Sequence, residues 1–296
     1  MIHALALNRP GAIGDVLMTL NLLPALRALD PSRKIHYFLH PSYGGLQELG
    51  ATLHAAGVDA IMDSNHWQEW DTLHEQAVNL YGYPHSEGHP WVPMRQHLLR
   101  FFMTETGLPA TTELPALTLR RPARPADAPA GDYATLQPWS LWSKYKEWAW
   151  PRWAEVIRAL PFPIVQIDAR HGRTLDHSIA LIANARIHLG VDSFAGHLTN
   201  YWWQDDHGAH RVPAVMLWGS TRAQDFGYPH NVNLEYGITC RPCYRNRPDW
   251  SVVDRERGPC TNPPRATYED DTPPACLDVI GVEEVVNAAL NLWSKP

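Results

Sequence analysis

Two kinds of apolar pattern follow one another in the first forty residues of the chain. Residues 3–7 form a short apolar run, and residues 34–39 form another. Between them, leucines recur with helical spacing at Leu17, Leu20, Leu23, Leu26 and Leu29. This order predicts a strand, one helix and a second strand, which is a βαβ unit and indicates a parallel sheet.

The second half of the chain repeats the pattern. Apolar runs predict strands at residues 133–137, 164–167, 187–190 and 214–218. Amphipathic segments predict helices at residues 151–160, 178–185, 196–203 and 282–292. Residues 120–132, RRPARPADAPAGD, lack apolar periodicity and are rich in proline and alanine, which is typical of a linker. We therefore expect two α/β halves with a ligand cleft between them.

Composition narrows the class of protein. The 296 residues are enough for two domains. The 25 basic and 31 acidic residues give a net charge of −6, which argues against a general nucleic-acid-binding protein because such proteins carry a basic surplus. The sequence has no apolar run of roughly 18 residues and no signal-peptide pattern, so we expect a cytoplasmic protein without a membrane span.

The turn after the first predicted strand reads RPGAIGD, from Arg9 to Asp15. Its glycines, Gly11 and Gly14, match neither the dinucleotide-binding pattern G-x-G-x-x-G nor the phosphate-binding loop. The residue that follows them is Asp15, whose charge would repel a phosphate. Ligands gather at the carboxyl ends of parallel strands, where this turn is predicted to lie. Position alone leaves two roles open for Asp15, a helix N-cap or a catalytic base.

All four cysteines fall in the last fifth of the chain, with the spacing C-x₂-C-x₁₆-C-x₁₅-C: Cys240, Cys243, Cys260 and Cys276. Two thiolates at C-x₂-C can bind one metal ion, and two further thiolates complete a tetrahedral site. Disulfides would need an oxidising compartment, which no feature of the sequence indicates. The pattern therefore predicts a metal site.

Four segments occur in an order that resembles a known family. They are RPGAIGDVLMTLNLLPALRAL, KEWAWPRWAEVI, ALIANARIHLGVDSFAGHLT and AVMLWGST. Together they resemble glycosyltransferase family 9, the ADP-heptose heptosyltransferases of lipopolysaccharide assembly and their relatives; roughly residues 50–119 are not matched. The resemblance implies GT-B architecture with two Rossmann-like domains, an acceptor domain at residues 1–125 and a donor-binding domain at residues 131–296. It also implies sugar transfer with inversion and without a catalytic metal.

The resemblance assigns the RPGAIGD turn to the acceptor side. The family's acid in this turn is a general base on the acceptor hydroxyl, a role that falls to Asp15 here and is typically worth about 10²–10⁴-fold in rate. Gly11 and Gly14 would let the backbone and the acceptor approach closely. Arg9 would orient the turn, contact an anionic acceptor or join a surface ion pair.

The resemblance assigns the donor diphosphate to the second half. Lys146 matches the family's Lys-x-Trp element and would stabilise phosphate charge, although an isolated lysine also fits a solvated surface residue. Residues 192–197 match the family's Asp-Ser-Gly-Pro-x-His element, and backbone N–H groups from Ser193 to Gly196 would hold a phosphate. Phe194 stands where the family usually has glycine. His197 fits a direct ligand contact and a buried helix cap equally well.

The full set of implied donor-side residues extends these elements. Ser143 and Lys144 could share the role of Lys146, and Asp168 could substitute for a ribose-binding acid, because the family's insertion after this strand is missing here. The predicted donor residues are Ser140, Lys146, Asp192, Ser193, Phe194, Ala195, Gly196, His197, Gly219, Ser220 and Thr221.

The cysteine segment has a resemblance of its own. FGYPHNVNLEYGITCRPCY, followed by two further cysteines, resembles the autotransporter branch of the heptosyltransferases, which carries a four-cysteine iron finger. This implies a finger at residues 238–280 that holds structural iron or zinc, since both metals suit four thiolates.

These features predict an inverting glycosyltransferase that moves a heptose or hexose from a nucleotide-diphosphate sugar to a hydroxyl of a glycan or protein acceptor. Two alternatives stay open: a non-catalytic nucleotide-sugar- or protein-binding module on the same fold, and a glycosyltransferase that acts on a modified nucleic-acid base. Assembly into a homo-oligomer is open as well. The Trp- and His-rich residues 65–93 follow no clear period; packing loops are the first interpretation, and an acceptor-binding loop region is the alternative.

Overall fold

The computed structural model describes residues 2–8, 13–40, 49–79, 116–140, 146–167, 172–238 and 273–295. The chain forms two compact units. Unit 1 contains Met1–Arg121, Thr174–Asp176 and Asn200–His210, and unit 2 contains Pro122–Arg173, His177–Thr199 and Arg211–Pro296. Each unit is thus assembled from separate parts of the chain. Within the described ranges, the helices are all too short or too polar to cross a membrane.

The first part of the chain alternates strands and helices. Its strands are β1 (Ile2–Asn8), β2 (Lys34–Leu39), β3 (Ala60–Asp63), β4 (His74–Asn79) and β5 (Thr118–Arg120). Its α-helices are α1 (Ile13–Leu20), α2 (Leu23–Leu29), α3 (Gly50–Ala55) and α4 (Trp67–Trp70), and short 3₁₀ helices lie on either side of α4.

The second part of the chain continues this alternation. Its strands are β6 (Ala134–Gln137), β7 (Ile164–Gln166), β8 (Ile187–Val191), β9 (Trp202–Asp205), β10 (Gly208–His210), β11 (Ala214–Leu217) and β12 (Val232–Leu234). Its helices are α5 (Trp150–Ala159), α6 (Leu175–Ala183), α7 (Phe194–Leu198), α8 (Ala223–Phe226), α9 (Ala275–Asp278) and α10 (Val282–Trp293).

Unit 1 is built on a parallel sheet with the strand order β3-β2-β1-β4. Residues 4–8 of β1 are buried, as expected for an inner parallel strand, and this explains its nearly continuous apolar run. A second, smaller sheet has the order β10-β9-β5, in which β9 pairs antiparallel with β10 and parallel with β5.

Unit 2 is built on a five-stranded parallel sheet with the order β12-β11-β8-β6-β7. Every residue of β6, β8 and β11 is buried, so these inner strands are covered on both faces. Helices α5 and α10 contribute Trp153, Val156, Val285 and Leu292 to the core that packs on the sheet. Trp150 and Pro151 open α5, where proline is well tolerated because its missing N–H has no helical partner.

Several elements of the structure differ from the sequence predictions, and three of them are instructive. The single helix predicted after β1 is divided into α1 and α2, because Pro24 lies in the first turn of α2 and has no N–H to continue the first helix. The helix predicted at residues 196–203 ends at Leu198, and Trp202 and Trp203 belong to β9. Strand β4 was not predicted, because its sequence HEQAVN is mostly polar and only pairing with β1 buries His74 and Val78.

Candidate functional site

The strand order of unit 2 reverses between β6 and β8. The chain passes from β6 to β7 on one side and then to β8 on the other side of β6. In open parallel sheets, ligands bind outside the carboxyl ends of the strands at this kind of switch point. A ligand site is therefore expected at the segments that follow β6, β8 and the neighbouring β11.

Buried polar side chains stand at all three of these strand ends. Gln137 ends β6, Asp192 follows β8 directly, and Thr221 follows β11; their side chains are 0–5% exposed. Ser193 donates a hydrogen bond of 2.7 Å from its Oγ to Oε1 of Gln137, which links the two sides of the switch point. Polar groups are buried together only where they satisfy one another or a ligand.

A charge pair lies at the centre of this edge. Nζ of Lys146 is 2.8 Å from Oδ2 of Asp192, and Oγ1 of Thr221 donates to the same oxygen at 2.5 Å. Burial alone would raise the pKa of Asp192, but the charges of Lys146 and His197 and the hydrogen bonds from Lys146 and Thr221 outweigh it and lower the pKa. Asp192 is therefore a carboxylate, and it holds the ammonium of Lys146 in place.

Ser220 is the polar side chain at this edge whose hydrogen bonding is incomplete. It is 1% exposed, and its Oγ has no hydrogen-bond partner among the residues that the structure describes. A buried hydroxyl without a partner costs about 1–3 kcal/mol. Such a group is expected where a ligand completes the bonding. We call Gln137, Lys146, Asp192, Ser193, Ser220 and Thr221 the edge cluster.

His197 lies beside the edge cluster on α7. It is 5% exposed, and its Nδ1 is 3.0 Å from the hydroxyl of Tyr228. It is one of the charges that lower the pKa of Asp192. The structure thus places His197 as a buried hydrogen-bonding partner of Tyr228 near the carboxylate.

The turn that opens α7 carries the other predicted phosphate donors. Ser193 is extended, and α7 starts at Phe194. The N–H of Gly196 donates to the carbonyl of Ser193 at 3.1 Å, so this N–H is already engaged inside the turn. Ala195 and Gly196 are buried and Phe194 is partly exposed. Gly219 is buried beside Ser220 in the loop after β11.

A second polar group lies below the edge cluster on β8. His188 is fully buried, and burial lowers its pKa to about 3, so the ring is neutral near pH 7. Its Nδ1 is 3.0 Å from Oγ1 of Thr135 on β6, and its Nε2 has no partner in the described part of the chain. A Cβ at Gly190 would lie 2.8 Å from that Nε2 and 3.0 Å from the carbonyl oxygen of Gln137. Glycine is therefore needed beside this histidine.

In unit 1, Asp15 lies in the first turn of α1, two residues inside the helix, and its side chain is partly exposed. The N-cap interpretation is therefore wrong by position, since the cap residue precedes the first helical residue. Buried tyrosines fix α1: Tyr37 is 2.5 Å from Oγ1 of Thr19, and Tyr201 donates to the carbonyl of Leu17 at 2.6 Å.

The switch point of unit 1 lies between β1 and β4, and an asparagine ends each of these strands. Asn8 is 4% exposed and donates from Nδ2 to Oδ1 of Asn79 at 3.1 Å. Oδ1 of Asn8 has no partner within the described ranges. This asparagine pair was not predicted from the sequence. The available signal was an asparagine at the end of an apolar strand, one residue before the RPGAIGD turn.

Several predicted site residues lie outside the described residues: Arg9, Gly11, Ser143, Lys144, Asp168, Cys240, Cys243 and Cys260. Gly14 is the second residue of α1, and the backbone N–H of Ser140 donates to Oε1 of Glu147 at 3.0 Å. Cys276 is buried on α9. In the ranges that the structure describes, no three His, Cys, Asp or Glu side chains are grouped so that they could hold a metal ion. The Cys₄ site stays a prediction.

Comparison with known proteins gives matches in structure alone. No family model and no curated protein matches the chain. TibC, an iron-containing dodecameric glycosyltransferase from enterotoxigenic E. coli, matches with a TM-score of 0.66 and 13% identity, covering 98% of this chain and 76% of TibC. E. coli ADP-heptose lipopolysaccharide heptosyltransferase II matches with a TM-score of 0.62 and 12% identity, covering 98% of each chain.

A family 9 glycosyltransferase from Veillonella parvula also matches, with a TM-score of 0.59 and 12% identity, covering 99% of this chain and 98% of that one. The chain has the fold of these glycosyltransferases. The α/β class with parallel sheets is thereby confirmed, and it matches GT-B-like neighbours. TibC has also been solved with ADP-D-β-D-heptose, and that structure matches with a TM-score of 0.63.

Proposed function

We propose that the protein is a glycosyltransferase that transfers a sugar from a nucleoside-diphosphate sugar to an acceptor hydroxyl. The observation that carries the proposal is the edge cluster, with a lysine paired to a buried carboxylate and a buried hydroxyl that lacks a partner among the described residues, at the switch point of unit 2. The shared fold with heptosyltransferases supports it. In this proposal the donor diphosphate binds at the edge cluster.

The donor diphosphate becomes more negative as the sugar leaves, so the site must stabilise that charge. An ammonium group has three N–H donors, so Lys146 can bond a phosphate oxygen while it keeps its contact with Asp192. Ser220 adds a hydroxyl that can donate to another phosphate oxygen. Thr221 and His197 hold Asp192 ionised, and Asp192 in turn keeps Lys146 at the edge.

The reaction needs one bond to form and one to break. The acceptor oxygen attacks the anomeric carbon, the bond from that carbon to the diphosphate oxygen breaks, and the electron pair leaves with the nucleoside diphosphate. The acceptor proton must be removed at the same time, because a sugar hydroxyl is a poor nucleophile. We assign this proton to the carboxylate of Asp15, which α1 presents in its first turn.

We also propose that the four cysteines hold one structural metal ion, iron or zinc. Cys276 is buried on a short helix, a setting in which a thiolate needs a positive partner. Four thiolates leave no open position on the metal, so this site would fold its segment and take no part in transfer. TibC is iron-containing, which makes iron the first metal to measure.

The experiment follows a radiolabelled sugar from a panel of nucleotide sugars, beginning with ADP-heptose, into the macromolecules of a heat-treated cell lysate. Released nucleoside diphosphate is measured in the same samples. We expect transfer from one donor, and a loss of about 10²-fold or more in Asp15→Asn with unchanged donor affinity. Asp63→Asn, on the short strand β3 of unit 1, is the matched control and keeps full activity.

Each failure has its own meaning. Full transfer by Asp15→Asn would overturn the base assignment alone. Donor binding without transfer of label or release of diphosphate would favour the non-catalytic nucleotide-sugar-binding module. Absence of both binding and transfer for every donor would overturn the proposed function.

A further inference from the structure

A pair of stacked tryptophans lies close in sequence to two members of the edge cluster, Gln137 and Lys146. Trp139 lies two residues after β6, and Trp150 is the first residue of α5; their rings are stacked with centroids 5.6 Å apart and an angle of 25°. We propose that Trp150, backed by Trp139, is the platform on which the nucleobase of the donor stacks. This inference rests on the proposed function and adds the recognition of the base.

Packing of the core does not explain this pair. Trp148 and Trp153 are close neighbours in sequence, and they are 1% and 0% exposed in the hydrophobic core of unit 2. Trp150, in contrast, is 37% exposed. An indole offers a large flat apolar face, and the partly exposed ring of Trp150, four residues from Lys146, is available to contact a ligand.

The position of the pair follows from the sheet. Trp139 belongs to the segment that leaves the carboxyl end of β6, the strand at which the order of the sheet reverses. Trp150 opens α5 four residues after Lys146, so the exposed ring and the phosphate-binding lysine of the proposed function lie on one short stretch of chain. A nucleoside diphosphate joins a flat aromatic base to two phosphates, so the base can stack on the ring of Trp150 while a phosphate binds the ammonium of Lys146.

The described residues after β6 and before α5 are linked at three points. The N–H of Ser140 donates to Oε1 of Glu147 at 3.0 Å. The ring of Trp139 stacks on that of Trp150, and Lys146 is held by Asp192. These contacts order the ring and the lysine before a ligand arrives, which lowers the entropy lost on binding.

The test separates the base from the phosphates. Calorimetry measures the affinity of the wild type for ADP, GDP, UDP, CDP and inorganic pyrophosphate. We expect Trp150→Leu to weaken the best nucleoside diphosphate by about 5- to 100-fold and to leave pyrophosphate unchanged, since stacking acts on the base alone. Trp150→Phe keeps a ring and retains most of the affinity.

Further variants guard against a purely structural effect. Trp139→Leu removes the ring that stacks behind Trp150, and it should also lower the affinity for the nucleoside diphosphate. Leu290→Ala, at an exposed position of α10 in the same unit, changes none of the affinities. Thermal melting confirms that each variant is folded before it is titrated.

The outcomes distinguish this inference from the proposed function. Equal nucleotide affinity in the wild type, Trp150→Leu and Trp139→Leu would overturn the platform and leave the proposed function standing. Equal weakening of pyrophosphate and nucleotide would also overturn the platform, because the loss would not come from the base. If the wild type binds no nucleotide, whether or not it binds pyrophosphate, both the platform and the proposed function would be overturned.

Discussion

Replacing Lys146 by methionine tests the charge pair at the centre of the edge cluster. Methionine keeps an unbranched apolar stem and removes the ammonium, so buried Asp192 loses the charge that does most to lower its pKa. Removing one partner of a buried ion pair costs about 3–5 kcal/mol. Because the Lys146 side chain is 17% exposed and Thr221 still donates to Asp192, we expect a loss near the lower limit, about 3 kcal/mol.

The pH dependence of the loss identifies its cause. In the wild type, the lowered pKa of Asp192 gives a stabilisation that is present above about pH 4, the pKa of an unfolded aspartate, and is lost only at lower pH. In Lys146→Met, burial raises the pKa of Asp192 instead, so the folded variant takes up a proton as the pH falls. The difference in free energy of unfolding between the variant and the wild type should therefore become smaller as the pH falls from 7 to about 4.

The assay is thermal and urea unfolding of the wild type and the variant across this pH range. A loss of about 3 kcal/mol corresponds to a melting temperature lower by about 6–12 °C. Lys146→Met/Asp192→Asn removes both charges and should recover most of the loss, while Lys34→Met, at an exposed position of β2, should change nothing. A variant as stable as the wild type, or a deficit that is constant from pH 7 to pH 4, would refute the reasoning.

Three further predictions follow from buried groups. Gly190→Ala should lower stability by about 1–3 kcal/mol because its Cβ would meet the ring of His188, and unchanged urea unfolding would contradict this. Asn8→Leu removes the hydrogen bond from Nδ2 of Asn8 to Oδ1 of Asn79, so it should lower stability by about 0.5–1.5 kcal/mol, and an unchanged melting temperature would contradict this. The purified protein should contain about one iron or zinc per chain by elemental analysis, and less in Cys276→Ser; a metal-free wild type would rule out the Cys₄ site.

Local pattern was enough to predict much of the fold. The inner strands of unit 2 are apolar throughout because both of their faces are covered, so β6, β8 and β11 could be recognised without knowing their partners. Strand β4 could not be recognised in this way, since its burial comes from pairing with β1. The break between α1 and α2 had a local signal in Pro24, which the leucine periodicity outweighed in the sequence prediction.

The candidate site was also predictable from the sequence only in part. Sequence motifs singled out Lys146, Asp192 and Thr221. Asp192 and Thr221 lie 46 and 75 positions after Lys146, and only the order of the strands shows that the three residues are in contact. The same holds for the Ser193–Gln137 hydrogen bond across the switch point. Whether a buried hydroxyl such as that of Ser220 has a partner is decided by packing, and no sequence pattern records it.

The central claim is that a nucleoside-diphosphate sugar binds at the edge cluster, and the binding of nucleotide sugars to the wild type and Ser220→Ala tests it most directly. The Oγ of Ser220 has no partner among the described residues, so its removal should leave folding intact. We predict that one nucleotide sugar binds the wild type and binds Ser220→Ala about 10- to 100-fold more weakly, as expected for a lost hydrogen bond to a charged phosphate. Equal affinity of the two proteins, or no binding of any nucleotide sugar, would contradict a donor site at this edge.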